Sequence, residues 1–186
     1  MYYFETIKCE DSEVLNLDYH NKRVANTIAL NLNLQEYVYP PSNELLRCKV
    51  IYSEDGIDDV LYFKYKKREI KSFKIIVDDN IDYSKKYMDR IELDSLYNKR
   101  EDADEIIIVK NGFVTDTSIA NIAINDGSSW ITPKVPLLYG TTRARLLEEK
   151  MIFEKDITIE MLKKAEKIAL MNAMIDFDIL EEYTLL

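Results

Sequence analysis

Histidine and cysteine are scarce in this chain of 186 residues, and their scarcity excludes several kinds of site. A single histidine, His20, rules out a metal site built from several histidines, so we expect no catalytic metal. Cys9 and Cys48 are the only cysteines; they lack metal-binding spacing and cannot form a disulfide framework. A chain of this kind suits a reducing cytoplasm, which is the location we predict.

Long apolar runs and basic stripes are also missing. The longest apolar stretches are much shorter than a membrane span, and residues 1–5 do not resemble a signal peptide, so we expect no membrane association. The net charge of −9 would repel a phosphate-rich partner, so we expect no nucleic acid. The densest basic run, 64–71, alternates with other residue types and indicates a solvated strand face.

Apolar residues make up 47% of the chain and charged residues 32%, which is ordinary for a folded domain. The first part predicts a helix that begins at Asp18 as N-cap and runs to about Leu32. Asp55-Gly56 predicts a hairpin, and the polar stretch 78–84 is a candidate linker. Strands are predicted at 2–9, 13–17, 46–53, 60–66 and 72–77.

The second part predicts three helices among further strands. Asn111-Gly112 and Asp126-Gly127 suit tight hairpins, and Thr158 is a helix cap. The helices are predicted at 87–99, 141–150 and 158–166, and the strands at 105–110, 113–115, 119–124, 129–132 and 167–170. We therefore expect an α+β chain of two domains, a small one at 1–80 and a larger one at 81–186.

Three stretches could carry chemistry. Gly140-Thr141-Thr142-Arg143 opens a helix, where free N–H groups and hydroxyls could bind a phosphate or could serve only to cap the helix. Lys86 lies at the junction of the two halves and is either a Schiff-base nucleophile or a surface lysine. Asp116 at a strand end could face a cationic ring nitrogen or could form a turn.

Taken together, these stretches resemble the class IV aminotransferases. That family has a K-x-x-x-R segment, matched by Lys86 and Arg90. About thirty residues later it has G-x-V-T-E-x-x-x-x-N, matched by residues 112–121 with Asp116 in place of the glutamate. It then shows T-P, a leucine and G-x-T-R, matched at 132–143 with Leu138 as the leucine.

The N-terminal half carries further matches. Phe4-Glu5-Thr6 is similar to the family's F-E-T strand, and residues 20–23 are similar to its H-x-x-R helix. The resemblance implies that Arg23 reaches the phosphate of the cofactor pyridoxal 5′-phosphate (PLP), while His20 is structural. A guanidinium suits this task because its donors form a rigid fork.

The resemblance also implies a two-domain fold like that of D-amino-acid aminotransferase, with the PLP lysine at the junction of the domains. Lys86 would carry PLP and Asp116 would hold the ring nitrogen protonated; Lys85 is a rival for the first role, but its spacing to Arg90 is one residue too long. Leu138 would pack on the ring face. The phosphate would be held by Arg23, Gly140, Thr141 and Thr142.

Two features depart from the family pattern. The chain begins almost at F-E-T, so we expect an N-terminally shortened form with part of the first sheet missing or rebuilt. Asp116 is one methylene shorter than the usual glutamate, so its contact with the ring nitrogen needs a closer approach or a bridging water.

The C-terminal segment Met171-Asn172-Ala173-Met174 is similar to the N-[AS]-L-M segment of aminodeoxychorismate lyases, although it could equally be a core strand end. We therefore predict a lyase that releases pyruvate from aminodeoxychorismate and leaves 4-aminobenzoate, a folate precursor. A D-amino-acid or branched-chain aminotransferase and a degenerate, non-catalytic PLP-binding or regulatory protein remain the alternatives. Each active alternative takes a small amino substrate.

Three structural expectations follow from the resemblance. Lys86 and Asp116 should lie in one pocket, and Arg23 should point at the start of the helix near Thr141. The protein should also be a homodimer, which the 13 tyrosines and 6 phenylalanines favour because aromatic residues are enriched in interface cores.

Overall fold

A computed structural model describes residues 1–186 of the chain. The backbone divides into two compact units, each with its own core. Unit 1 contains Met1–Lys67 and Lys85–Asp89, and unit 2 contains Arg68–Ser84 and Arg90–Leu186. The α+β class expected from the sequence is confirmed, since both units combine strands and helices.

Unit 1 is built on a four-stranded sheet in the order β2-β1-β3-β4. One 3-10 turn, Leu34–Glu36, follows helix α1, and the core contains β1, β3 and α1 side chains that include Ile7, Val24 and Val50. The hairpin predicted at Asp55-Gly56 is confirmed, because Ser53 pairs with Gly56. The elements are β1 Tyr3–Glu10, β2 Glu13–Val14, α1 Leu17–Thr27, β3 Leu46–Ser53 and β4 Gly56–Lys64.

Helix α1 has its N-cap two residues earlier than predicted, at Asn16 instead of Asp18, and ends five residues earlier than predicted, at Thr27. The assignment of Asp18 as N-cap was therefore wrong. The backbone of Asn16 is left-handed (φ 56°), and its side chain makes no capping hydrogen bond. Asparagine tolerates this conformation better than most residues. Asp18 lies in the first turn instead, where a carboxylate interacts favourably with the positive end of the helix.

Unit 2 is built on a nine-stranded sheet. Its main path runs β10-β9-β8-β7-β6-β5-β13, while β11 pairs with β8 and β12 pairs with β11. The elements are β5 Ser72–Val77, α2 Ile91–Asn98, β6 Glu105–Lys110, β7 Phe113–Thr117, β8 Asn121–Asn125, β9 Trp130–Pro133, α3 Thr141–Glu148, β10 Phe153–Lys155, α4 Ile159–Lys164, β11 Lys167–Asn172, β12 Asp176–Leu180 and β13 Thr184–Leu185.

The hairpins of unit 2 form where the sequence predicted them. Asn111 and Gly112 both have positive φ (52° and 81°), and their neighbours Lys110 and Phe113 pair directly, as a two-residue turn requires. The loop at Asp126-Gly127 is longer than a tight hairpin, since β8 ends at Asn125 and β9 begins at Trp130. Thr158 caps α4 as predicted, accepting a hydrogen bond from the N–H of Met161.

The predicted domains meet at residue 80. Two segments belong to a different unit from the one that this boundary would assign to them. Strand β5 pairs in parallel with β6 and therefore belongs to unit 2. Residues 85–89 belong to unit 1, because the N–H of Phe4 donates to the carbonyl of Lys86 and the N–H of Met88 donates to the carbonyl of Tyr2. The helix predicted from residue 87 consequently begins only at Ile91.

The short strands β10, β12 and β13 were not predicted. No helix of the structure is long and apolar enough to cross a membrane.

Candidate functional site

Lys86 lies in the extended segment that runs beside β1 in unit 1. Its ammonium is 4.6 Å from the centroid of the Phe4 ring, and its backbone carbonyl accepts a hydrogen bond of 3.0 Å from the Phe4 N–H. The face of an aromatic ring attracts a cation at this distance. The main chain at Lys86 is therefore fixed by the F-E-T strand that the sequence singled out.

The neighbouring Lys85 is engaged differently. Its ammonium donates to the carbonyl of Thr27 at the end of α1 (2.8 Å) and lies 5.5 Å from the centroid of the Tyr3 ring. Lys85 therefore anchors its segment to α1 through a backbone oxygen. This bond gives Lys85 a structural task and favours Lys86 as the reactive lysine.

Arg23 does not stand alone on α1. Its Nε donates to Glu5 Oε1 (2.8 Å) and its Nη2 donates to Glu5 Oε2, which together make a two-point ion pair. The second carboxylate oxygen also bonds Nδ1 of His20 at 2.5 Å. The Glu5 side chain is fully buried, so one carboxylate on β1 orients both the histidine and the arginine of the H-x-x-R helix.

The charges of this group follow from its surroundings. Burial acts to raise the pKa of Glu5, but the Arg23 charge and the hydrogen bonds from His20 and Arg23 outweigh it and bring the pKa to about 2. Burial lowers the pKa of His20; the hydrogen bond and the charge of Glu5 act in the opposite direction, and the smaller effects of the Arg23 and Lys86 charges lower the pKa further. His20 is therefore neutral near pH 7, with the proton on Nδ1 facing Glu5, which agrees with a structural role.

Asp116 lies near the end of β7 in unit 2 and is buried. Its Oδ1 accepts from the side-chain amide of Asn121 (2.8 Å), and its Oδ2 accepts from the backbone N–H of Leu138 (2.8 Å). Two of the residues that the sequence selected, Asp116 and Leu138, are thus in direct contact. The aspartate is held by one donor on each oxygen.

Burial raises the pKa of Asp116 to about 7, although the hydrogen bonds from Leu138 and Asn121 and the charge of Arg143 act in the opposite direction. A carboxyl group with a pKa near neutrality is uncommon outside functional sites. A cation brought close to Asp116 would favour its ionised form, so this group is suited to hold a positive nitrogen.

Gly140, Thr141 and Thr142 form the start of α3. The helix has no side-chain cap, and its first intrahelical bond runs from the N–H of Ala144 to the carbonyl of Gly140. The N–H groups of the first turn therefore precede the helical ladder, as at any helix N-terminus. Both threonines are buried, so hydroxyl donors lie beside these N–H groups, and the set matches what an anion requires.

Sequence reasoning left two residues without a role. Glu5 was read only as part of the F-E-T strand, and Asn121 only as the last position of its motif. Their signal was present, because each is a polar residue at a defined position of a matched motif. Their partners, Arg23 and Asp116, depend on strand and helix packing that spacing alone does not give.

The C-terminal segment used to select the subfamily covers the end of β11 and the first residues of the turn that leads to β12. The side-chain oxygen of Asn172 accepts from the N–H groups of Met174 and Ile175 (2.9 and 3.1 Å), and its amide donates to the carbonyl of Ile119 (3.2 Å). Asn172 thus ties this turn to the loop that follows β7 and Asp116.

The two-unit α+β fold and these residues define the type of protein. The model of the family described as amino-transferase class IV matches residues 85–177. The chain belongs to the class IV aminotransferase family.

Two related proteins illustrate the range of similarity. An uncharacterized protein of Haemophilus influenzae is 35% identical over 182 residues, which cover 92% of this chain and 96% of that protein. A proposed aminodeoxychorismate lyase of Schizosaccharomyces pombe is 36% identical over 85 residues, which cover 43% of this chain and 36% of that protein.

Solved structures agree with the fold. A proposed 4-amino-4-deoxychorismate lyase from Haemophilus somnus has a TM-score of 0.80 and 35% identity, and the match covers 93% of this chain and 96% of that one. A hypothetical aminotransferase from Mycobacterium tuberculosis in its PLP-bound form has a TM-score of 0.77 over 99% of this chain and 81% of that one. Its identity of 17% shows a shared fold.

Proposed function

We propose that this chain is a PLP-dependent 4-amino-4-deoxychorismate lyase, which eliminates pyruvate from aminodeoxychorismate and leaves 4-aminobenzoate, a folate precursor. The observation that carries the proposal is the 35% identity to the Haemophilus somnus protein over nearly the whole of both chains. The Met171-Asn172-Ala173-Met174 segment supports the lyase rather than an aminotransferase, because it is similar to the corresponding lyase segment.

The residues present fit PLP by their chemistry. A buried acid, a helix start without a side-chain cap and a lysine against an aromatic ring supply the three kinds of group that the cofactor needs. Lys86 would attach the cofactor and Asp116 would hold its ring nitrogen, with Leu138 on the ring face. The phosphate would be held by Arg23, Gly140, Thr141 and Thr142.

PLP, when bound, supplies an electron sink for the carbon that loses a proton. Asp116 contributes by keeping a proton on the ring nitrogen, which requires the aspartate to be ionised. Its two protein donors, Asn121 and Leu138, stabilise that ionised form. Aspartate is one methylene shorter than the family's glutamate. Its contact with the ring nitrogen therefore depends on the fixed orientation that these two donors give to the carboxylate.

Lys86 is the residue that moves the proton of the substrate. Its amine must be neutral to accept the proton from the substrate carbon that bears the amino group. The electron pair left on that carbon then forms a ring double bond and expels the neighbouring ether oxygen, so the ring becomes aromatic. The three-carbon unit leaves as enolpyruvate and takes up one proton to become pyruvate. The elimination needs no oxidant and no keto acid, whereas amino transfer needs an acceptor.

The test uses the purified protein reconstituted with PLP. We expect a yellow protein that forms 4-aminobenzoate from aminodeoxychorismate without a keto acid. Lys86→Ala should abolish the absorbance band of the lysine-bound cofactor and the activity, while the matched control Lys85→Ala should keep both, because Lys85 contacts Thr27.

Other outcomes select the alternatives. Turnover that depends on a keto acid would identify a D-amino-acid or branched-chain aminotransferase and refute the lyase. A colourless protein that cannot be reconstituted would identify a non-catalytic member of the family.

We also propose that the enzyme works as a homodimer in the cytoplasm, without nucleic-acid or membrane partners. The load of 13 tyrosines and 6 phenylalanines supports the dimer, since such residues are enriched in interface cores. The acidic net charge of −9 supports the absence of a nucleic-acid partner.

A further inference from the structure

The side-chain amide of Asn121 joins two segments of unit 2 that are far apart in sequence. Its Nδ2 donates to Asp116 Oδ1 and to the carbonyl of Leu138, both at 2.8 Å. The N–H of Leu138 donates to the other oxygen of Asp116, also at 2.8 Å. These three hydrogen bonds close a ring through Asp116, Asn121 and Leu138.

The other end of the amide lies against Gly140, the residue before α3. A Cβ atom added to Gly140 would lie only 2.0 Å from Asn121 Oδ1 and 3.2 Å from its Cγ. The backbone of Gly140 (φ −71°, ψ 146°) is one that any residue adopts. The glycine is therefore required by the space that Asn121 occupies and not by the backbone conformation.

We propose that Asn121 is a positioning residue that holds the Asp116 carboxylate in a fixed place relative to the start of α3. The inference rests on the proposed function, in which Asp116 and the start of α3 hold opposite ends of one rigid cofactor. A site of this kind has to keep its groups within about 0.5 Å of the productive geometry. One buried amide that touches both Asp116 and Gly140 can provide this constraint.

Asn121 is well suited to this task by its burial and its partners. The side chain is buried, with 6% of the residue exposed, and its bond to Asp116 is charge-assisted when the aspartate is ionised. Without the amide, Asp116 would keep the Leu138 N–H, while the carbonyl of Leu138 would lose a donor. Removal of Asn121 should therefore change both the ionisation of Asp116 and the path of the chain at residue 138.

A double-mutant cycle in the cofactor-free protein tests the proposal. The measured quantity is the pKa of Asp116, followed by carboxyl carbon NMR and identified as the resonance that Asp116→Asn removes. Asn121→Ala should raise this pKa by about one unit, because a hydrogen bond to the ionised form is lost. Gly140→Ala should raise the pKa of Asp116 by a similar amount, because the added Cβ displaces the Asn121 amide. The pKa in the double variant should be only slightly higher than in Asn121→Ala.

Asn125→Ala is the matched control on the same strand. Its side chain accepts only a turn N–H, that of Gly127 (2.8 Å), so the pKa of Asp116 should not change. If Asn121→Ala does not fold, Asn121→Ser replaces it with the same expectation. An unchanged Asp116 pKa in the position-121 variant, or fully additive effects of the two substitutions, would overturn the proposal.

PLP affinity provides the second measurement. Each single variant should bind PLP about tenfold more weakly than the wild type, and the double variant should lose no further tenfold. Binding equal to the wild type in both single variants would also contradict the proposal. If the wild type binds no PLP, the proposed function fails, whereas the NMR cycle still decides whether Asn121 holds Asp116 against Gly140.

Discussion

Asp116 has a pKa far above that of an ordinary aspartate. Its replacement by asparagine therefore gives a quantitative test of its environment. The structure raises the pKa of this buried carboxyl to about 7, mainly by burial. An unfolded chain returns it to about 3.9. The folded protein therefore binds a proton that the unfolded protein releases throughout the range between these values.

The sign of the effect on stability follows from this difference in proton binding. Where the folded state holds more protons, the free energy of unfolding falls as the pH rises. With pKa values of about 7 and about 3.9, Asp116 should reduce the free energy of unfolding by about 3 kcal/mol between pH 5 and pH 8. Asparagine cannot ionise, so Asp116→Asn should lack this contribution.

Urea unfolding of the cofactor-free protein at pH 5 and pH 8 measures the effect. The informative quantity is the difference between wild type and variant at each pH, because the other titrating groups are common to both proteins. We expect the free energy of unfolding of the variant to rise by about 3 kcal/mol relative to that of the wild type from pH 5 to pH 8. A pH-independent difference would refute the reasoning, because it would mean that Asp116 titrates alike in the folded and unfolded states.

Three further predictions concern other parts of the chain. Glu5→Gln should lower the free energy of unfolding by about 3 kcal/mol at pH 7, because the folded pKa of about 2 lies well below the ordinary 4.5, and the loss should shrink as the pH falls towards 2. If urea unfolding gave the same loss of unfolding free energy at pH 7 and near pH 2, the result would contradict this prediction. Arg23→Lys should weaken PLP binding in fluorescence titrations about tenfold by losing the planar fork, while Arg145→Ala, whose guanidinium pairs with Glu149, should bind as the wild type does. Light scattering at micromolar concentration should give twice the chain mass of 21.9 kDa. A mass equal to that of one chain would contradict the proposed homodimer.

The sequence by itself determined the features that depend on neighbouring residues. The two-residue turn at Asn111-Gly112 and the cap at Thr158 follow from local backbone and hydrogen-bonding preferences, and both were found where expected. The family was also accessible from sequence, because its motifs are short and their order is specific. The match of the family model to residues 85–177 confirmed that assignment.

Only the tertiary structure decided which residues act together. Strand β5 joined unit 2 because its parallel partner, β6, follows it by some thirty residues, and spacing along the chain does not reveal such a pairing. The bonds of Asn121 to Asp116 and Leu138 depend on the packing of β7, β8 and the loop before α3. The pKa of Asp116 is set by burial, and burial is a property of the folded chain that no local pattern contains.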